Sequence, residues 1–218
     1  MQPPVLHKIF DQQLWLSPYR CIFWEEEKTL IVSDLHFGKT GHFRKSGIAV
    51  PQSVYKEDLQ RLVNQLQFFK PRQLIVVGDL FHSHENKELD WFRKWRNDFP
   101  DLHIHLVKGN HDILDESWYR DCNIHLAEDE LMINHFRFQH DLVMPPGTEK
   151  RYSFSGHIHP GIYLSGTARQ SLRFPCFYFA KDYCVLPAFS LFTGFAMIRP
   201  SAGEHVFAIV EQSIVQLQ

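Results

Sequence analysis

Two short apolar runs constrain this chain more than anything else in it. Leu30-Ile31-Val32 and Leu74-Ile75-Val76-Val77 each lead almost at once into an aspartate, Asp34 and Asp79. Runs of this length and uniformity read as buried strands. A charged side chain directly after such a strand sits at its carboxyl end, where open α/β sheets bind their ligands.

Five short motifs continue the theme in order along the chain: Asp34-Leu35-His36, Gly78-Asp79, Gly109-Asn110-His111-Asp112, Gln139-His140-Asp141 and Gly156-His157-Ile158-His159. Their carboxylates, amide and imidazoles are the side chains that hold first-row divalent metals. Asp34 and His36 lie two apart, so on an extended chain end both can face one ion. His157 and His159 share that spacing and could reach one ion each. A ligand that touches two ions needs two charged oxygens, which makes Asp79 the best bridging candidate. Asn110 offers a neutral carbonyl oxygen, and His140 completes a second ion. Any one of these motifs occurs often by chance; the ordered set of five is specific. It predicts a two-metal site that hydrolyses a phosphate ester.

The rest of the chain suits such a site. At 218 residues, 44% hydrophobic and 22% charged, the composition is that of an ordinary globular domain, read as a single domain over residues 1–218. A net charge of −2 excludes a global basic field, so nucleic-acid contact would have to be local. No basic segment leads into an apolar one at the N-terminus, and no apolar run approaches the ~18 residues of a membrane span. A cytoplasmic protein with no membrane partner is therefore expected. The four cysteines are scattered, without a Cys-x-x-Cys pair, and read as buried free thiols.

Residues 13–33 read as a hairpin, turning at Glu25-Glu26-Glu27-Lys28, that leads into a strand at 29–33. Leu59, Leu62, Val63 and Leu66 give 52–69 the spacing of an amphipathic helix. Further elements are a strand at 73–77, a helix at 87–97 with Trp91 and Trp95 on one face, and a strand at 102–107. Residues 131–139 alternate as one or two strands, and short strands dominate from 152 onward. Strand–helix alternation followed by strands suggests two packed sheets with helices on at least one outer face.

The motif set resembles the calcineurin-like metallophosphoesterase superfamily over residues 34–159. A narrower likeness is to the phosphoesterases associated with a bacterial DNA ligase and helicase operon. It extends to Ser33 through Lys39 with Phe43-Arg44, to Pro160-Gly161, and to Arg173-Phe174-Pro175-Cys176-Phe177. It continues through Leu186-Pro187-Ala188-Phe189 and Phe192-Thr193-Gly194. The resemblance implies an α/β (α+β) fold, a four-layer αββα sandwich of two packed mixed sheets flanked by helices. It implies one ion on Asp34, His36, Asp79 and His159, and a second on Asp79, Asn110, His140 and His157. It implies two divalent ions, manganese first with iron or zinc as alternatives, and a hydroxide between them as nucleophile. His111 would face the substrate and protonate the leaving oxygen or stabilise phosphoryl charge, and Asp112 would orient local structure or cap a helix. It also implies a cytoplasmic phosphodiesterase or endonuclease linked to DNA repair, with the ligase or helicase of that operon as a partner.

Gly78-Asp79-Leu80-Phe81-His82-Ser83 departs from the Asp-Arg-Gly continuation of protein Ser/Thr phosphatases; where a carboxylate would orient the catalytic histidine, His82 stands. Lys39, Arg44 and Lys45 follow the first motif, with Phe43 among them, and could grip the phosphates of a nucleic acid. Three readings compete: a nucleic-acid phosphodiesterase, a small-molecule phosphatase or cyclic-nucleotide phosphodiesterase, and a scaffold protein of the same fold.

Overall fold

The computed structural model describes residues 2–39, 53–82, 87–143, 151–165 and 171–217, apart from the side chains of residues 53, 54, 87 and 88. The first sheet has seven strands in chain order: β1 (Val5–Ile9), β2 (Gln12–Ser17), β3 (Cys21–Trp24), β4 (Thr29–Val32), β5 (Gln73–Val77), β6 (His103–Val107) and β7 (Ile124–Ala127). Strands β1 to β4 meander antiparallel, and β4 to β7 run parallel. The parallel steps are crossed by helices α1 (Ser53–Phe69), α2 (Lys87–Asn97) and α3 (Glu116–Asp121). Each crossover advances the sheet in the same direction. Right-handed connections of that kind put every helix on one face. Leu62 and Leu66 of α1, Phe92 and Trp95 of α2, and Trp118 of α3 accordingly share one core with Leu30, Val32, Leu74, Val76 and Leu106.

The alternate residues of the same strands face the other way. Ile31, Ile75, Val77 and Val107 pack on Phe136, Phe138, Phe154, Phe177 and Phe207 of a second sheet. Period two along an apolar strand thus supplies two different cores at once. The second sheet is mixed and nine-stranded, built from β8 (Glu130–Ile133), β9 (Phe136–Gln139), β10 (Tyr152–Ser155), β11 (Pro160–Ser165), β12 (Ser171–Phe179), β13 (Tyr183–Val185), β14 (Ala196–Met197), β15 (His205–Val210) and β16 (Ser213–Gln216). Strand β10 lies parallel between β9 and β13, which aligns the carboxyl ends of β9 and β10.

Two packed mixed sheets with flanking helices form the expected sandwich. The helices cover the outer face of the first sheet, and among the described residues none covers the outer face of the second. The layers described are therefore helix, sheet and sheet. Residues 131–139, expected as one or two strands, fall in the antiparallel pair β8 and β9, and α2 spans the residues expected of it. Strands β1 and β7 and helix α3 lie outside the sequence expectations. All four cysteines are buried and unpaired. Among the described residues no helix is long and apolar enough to cross a membrane.

Candidate metal centre

Every expected ligand emerges at a strand's carboxyl end. Asp34 and His36 follow β4, Asp79 follows β5, Asn110 follows β6, His140 follows β9, and His157 and His159 join β10 to β11. The turns are stitched together beyond the sheets. Asp34 N donates to Gly78 O at 3.1 Å, His36 N to Asp79 O at 2.9 Å, and Gly156 N to His140 O at 3.2 Å.

These turns are tight enough to force unusual backbone. Asp34, His36, Asp79, His157 and His159 all have φ between +50° and +67°. Asp34 and His36 do not share an ion-facing side by extended-chain spacing: neither is extended, and left-handed turns aim both side chains inward. Non-glycine residues persist in that region only when surrounding contacts hold them. Gly78 also has positive φ, and a Cβ there would stand 1.9 Å from His140 Nδ1. A Cβ at Gly156 would lie 1.9 Å from Ser33 Oγ and 2.6 Å from Asp34 Oδ2. The glycines of these two motifs are thus fixed by close approach to the ligands.

The side chains converge. Asp34 Oδ1 is 3.2 Å from His159 Nε2. Asp79 Oδ1 is 3.5 Å from His140 Nε2, and Asp79 Oδ2 is 3.9 Å from His36 Nδ1. His140 Nε2 is also 3.2 Å from both Asn110 Oδ1 and His157 Nδ1. Donor atoms held about 2.0–2.1 Å from one ion lie roughly 3.0–3.4 Å from each other, so the 3.2 Å spacings fit shared coordination and the 3.5 and 3.9 Å spacings are somewhat wider. His36 Nε2 is buried without a hydrogen-bond partner, as an imidazole awaiting an ion would be. His140 Nδ1 lies 3.2 Å from Val77 O, which as donor leaves Nε2 free to ligate. The residues present fit divalent metal.

Among the described residues, two groups can each enclose an ion: Asp34, His36 and His159, and Asp34, Asp79 and His140. Asp34 is common to both, while Asp79 reaches toward His140 with one oxygen and His36 with the other. Asn110 and His157 are exposed, so the second group opens toward solvent. Burial, aided by Lys39, pushes the His36 pKa far below its ordinary value and keeps the ring neutral. Burial also raises the Asp79 carboxyl, against the pull of His140. A divalent cation would reverse that penalty.

Around the ligands stand the remaining candidates. His111 is half-buried, its backbone N donating to Asp79 Oδ1 at 2.9 Å. His82 lies against it, ring centroids 4.1 Å apart, and its Nδ1 is 3.3 Å from His36 Nδ1. The His82 and His111 rings are inclined by 32° to each other. Asp112 caps no helix; that place at α3 belongs to Asp115. Its oxygens accept Phe81 N and Gly109 N, both at 2.9 Å, tying the second motif to the third, and burial pushes its carboxyl up to about 7. Lys39 is half-buried, and burial lowers its pKa against the pull of Asp79 and Asp34. It sits beside the metal groups and not out on a flanking loop. Arg44 and Lys45 lie outside the described residues.

Sequence reasoning assigned no role to Ser33, whose hydroxyl donates to Asp34 Oδ2, or to Asp141, 3.6 Å from His157 Nε2. Both directly adjoin ligands, the only signal available. It also missed the 188–190 stretch, whose N–H groups meet Ser33 O and Asp34 O. A cavity of about 480 Å³ adjoins His140 and Asp141 and is lined by Lys108, Arg137 and Gln139. The larger cavity, of about 530 Å³, lies far from the ligands beside Arg93, Arg96 and Cys122.

No curated protein is similar enough in sequence to match. Among solved structures, the nuclease MPE of Pseudomonas putida is 26% identical with a TM-score of 0.82, over 98% of this chain and 100% of that one. Yfce, a phosphoesterase from E. coli, is 14% identical with a TM-score of 0.45, over 87% of this chain and 97% of that one. The family model for calcineurin-like phosphoesterases matches residues 27–175, a span that holds every ligand motif. With more than half its length matched, the chain belongs to the calcineurin-like phosphoesterase family.

Proposed function

We propose that this phosphoesterase is a two-metal phosphodiesterase that cleaves nucleic acid, an endonuclease serving bacterial DNA repair in the cytoplasm. The observation that carries it is the meeting of Asp34, Asp79, His36, His140 and His159 at coordination spacing, in a chain similar along its whole length to a nuclease. Asn110 and His157 complete the ligand set. Manganese is the expected metal, with iron or zinc as alternatives, because mixed carboxylate, amide and imidazole donors suit borderline ions. A DNA ligase or helicase is the expected protein partner.

Two bound divalent ions would bring the pKa of water at the site toward about 7 and offset phosphoryl charge. The chain's own groups do the rest. Asp34 and Asp79 supply the negative charge that holds cations, and neutral His36 supplies a lone pair. Asn110 and His157, exposed, leave the substrate side open. His111, braced by His82, donates a proton to the leaving oxygen. Lys39 lies where its ammonium can pair with a phosphoryl oxygen.

The test is turnover of matched single-stranded DNA, duplex DNA, RNA, a small diester and a small monoester by manganese-loaded protein. Faster cleavage of the diesters, DNA above all, is expected. A preference for the monoester would replace the reading with a small-molecule phosphatase.

A further inference from the structure

Residues 188–191, between β13 and β14, run behind Asp34 in neither helix nor strand, yet Ala188, Phe189 and Ser190 are at most 3% exposed. Buried irregular backbone must find partners for every polar group. Here the partners divide cleanly. Phe189 N donates to Ser33 O at 2.7 Å and Ser190 N to Asp34 O at 3.1 Å. Within the loop Ser190 also accepts Phe192 N and the Thr193 hydroxyl, at 3.1 and 3.2 Å, and the rest of the bonds go to three charged side chains. Arg20 Nη1 donates to Ala188 O at 3.1 Å and Ser190 O at 2.7 Å. Arg61 donates to Phe189 O, and its guanidinium lies 4.3 Å over the Phe189 ring. Asp58 accepts Leu191 N at 3.3 Å and the Ser190 hydroxyl, and pairs with Arg61 at 3.0 Å.

Burying two guanidinium groups and a carboxylate is costly, and apolar packing would anchor a loop as firmly. What the charged groups add is direction: a planar fork fixes carbonyls in place. The held stretch in turn fixes the backbone of Asp34, a left-handed residue common to both metal groups. We infer that Arg20, Arg61 and Asp58 form a clamp that positions Asp34 from behind, and that metal affinity is set through it. The inference rests on the metal reading above.

Outer contacts that orient metal ligands typically govern affinity by about 10–100-fold. Arg96 provides the control. It is more fully buried than Arg20 or Arg61 and donates to Cys122 O and Leu102 O, both at 3.0 Å, but at the amino ends of β6 and β7. The experiment is Mn²⁺ titration of the full chain, followed by electron paramagnetic resonance, alongside thermal unfolding. Arg20→Lys, which keeps the charge and loses the fork, and Asp58→Asn, which keeps the shape and loses the charge, should raise the Mn²⁺ midpoint roughly 10-fold or more. Arg96→Lys should lower Tm and leave the midpoint in place. Wild-type Mn²⁺ binding in both clamp variants, at whatever Tm, would overturn the clamp alone. Wild-type protein that bound no Mn²⁺ would overturn the metal reading and the clamp with it.

Discussion

Asp79, like Asp34, reaches both metal groups, since its two oxygens face a histidine of each. Asp79→Asn should therefore weaken both ions together, seen as loss of both equivalents in a metal-content assay. Gly156→Ala tests packing instead of charge. The added methyl would press into Ser33 and Asp34, so metal affinity should fall although no ligand is altered. His111→Ala should keep its metals but lose roughly 10²–10⁴-fold in kcat on a poor leaving group, and far less on nitrophenolate. Equal losses on both would move His111 from leaving oxygen to phosphoryl charge. The candidate ligands could be named from sequence because the chemistry admits few residue types. Their left-handed backbone was not, since φ at Asp34 or His159 is imposed by turns stitched across two sheets. Nor was the ring contact of His82 with His111, which follows from no spacing rule.

Elements were legible where periodicity ran long enough. The 17 residues of α1 repeat their apolar face several times, whereas the six of α3 make under two turns and reveal nothing. Strand β1 was missed because half its length faces solvent. Its His7 nonetheless packs across the sandwich, 4.3 Å from the Phe179 ring and 5.2 Å from that of Phe207. Burial, with His205 nearby, pushes the His7 pKa down to about 4. The unfolded chain, with an ordinary imidazole, then binds more protons than the folded one between about pH 6.5 and 4. Stability should be full above that window and decline as pH falls through it. Because the ring is part exposed, the contribution is about 1 kcal/mol at most after screening. His7→Phe should flatten the decline in urea titrations taken at pH 7 and pH 4.5; an unchanged slope would assign it to other groups.

For the whole molecule, the ligands divide between the sheets. Asp34, His36, Asp79 and Asn110 come from the first, and His140, His157 and His159 from the second. Ions held between them stabilise only the assembled sandwich. At metal 100-fold above Kd the gain is about 2.7 kcal/mol. For a chain of this size that is about 5–10 °C in Tm, to be read by scanning with and without chelator. The sandwich could be foreseen from the order of its strands and helices, but not that the candidate metal site would also be its seam. The consequence concerns lifetime. A copy without metal would gape first along that edge, offering the 188–191 stretch and the strand-end turns to a protease, while a loaded copy stayed shut. Idle molecules would be cleared ahead of working ones, and the amount of protein present would follow the supply of its ions.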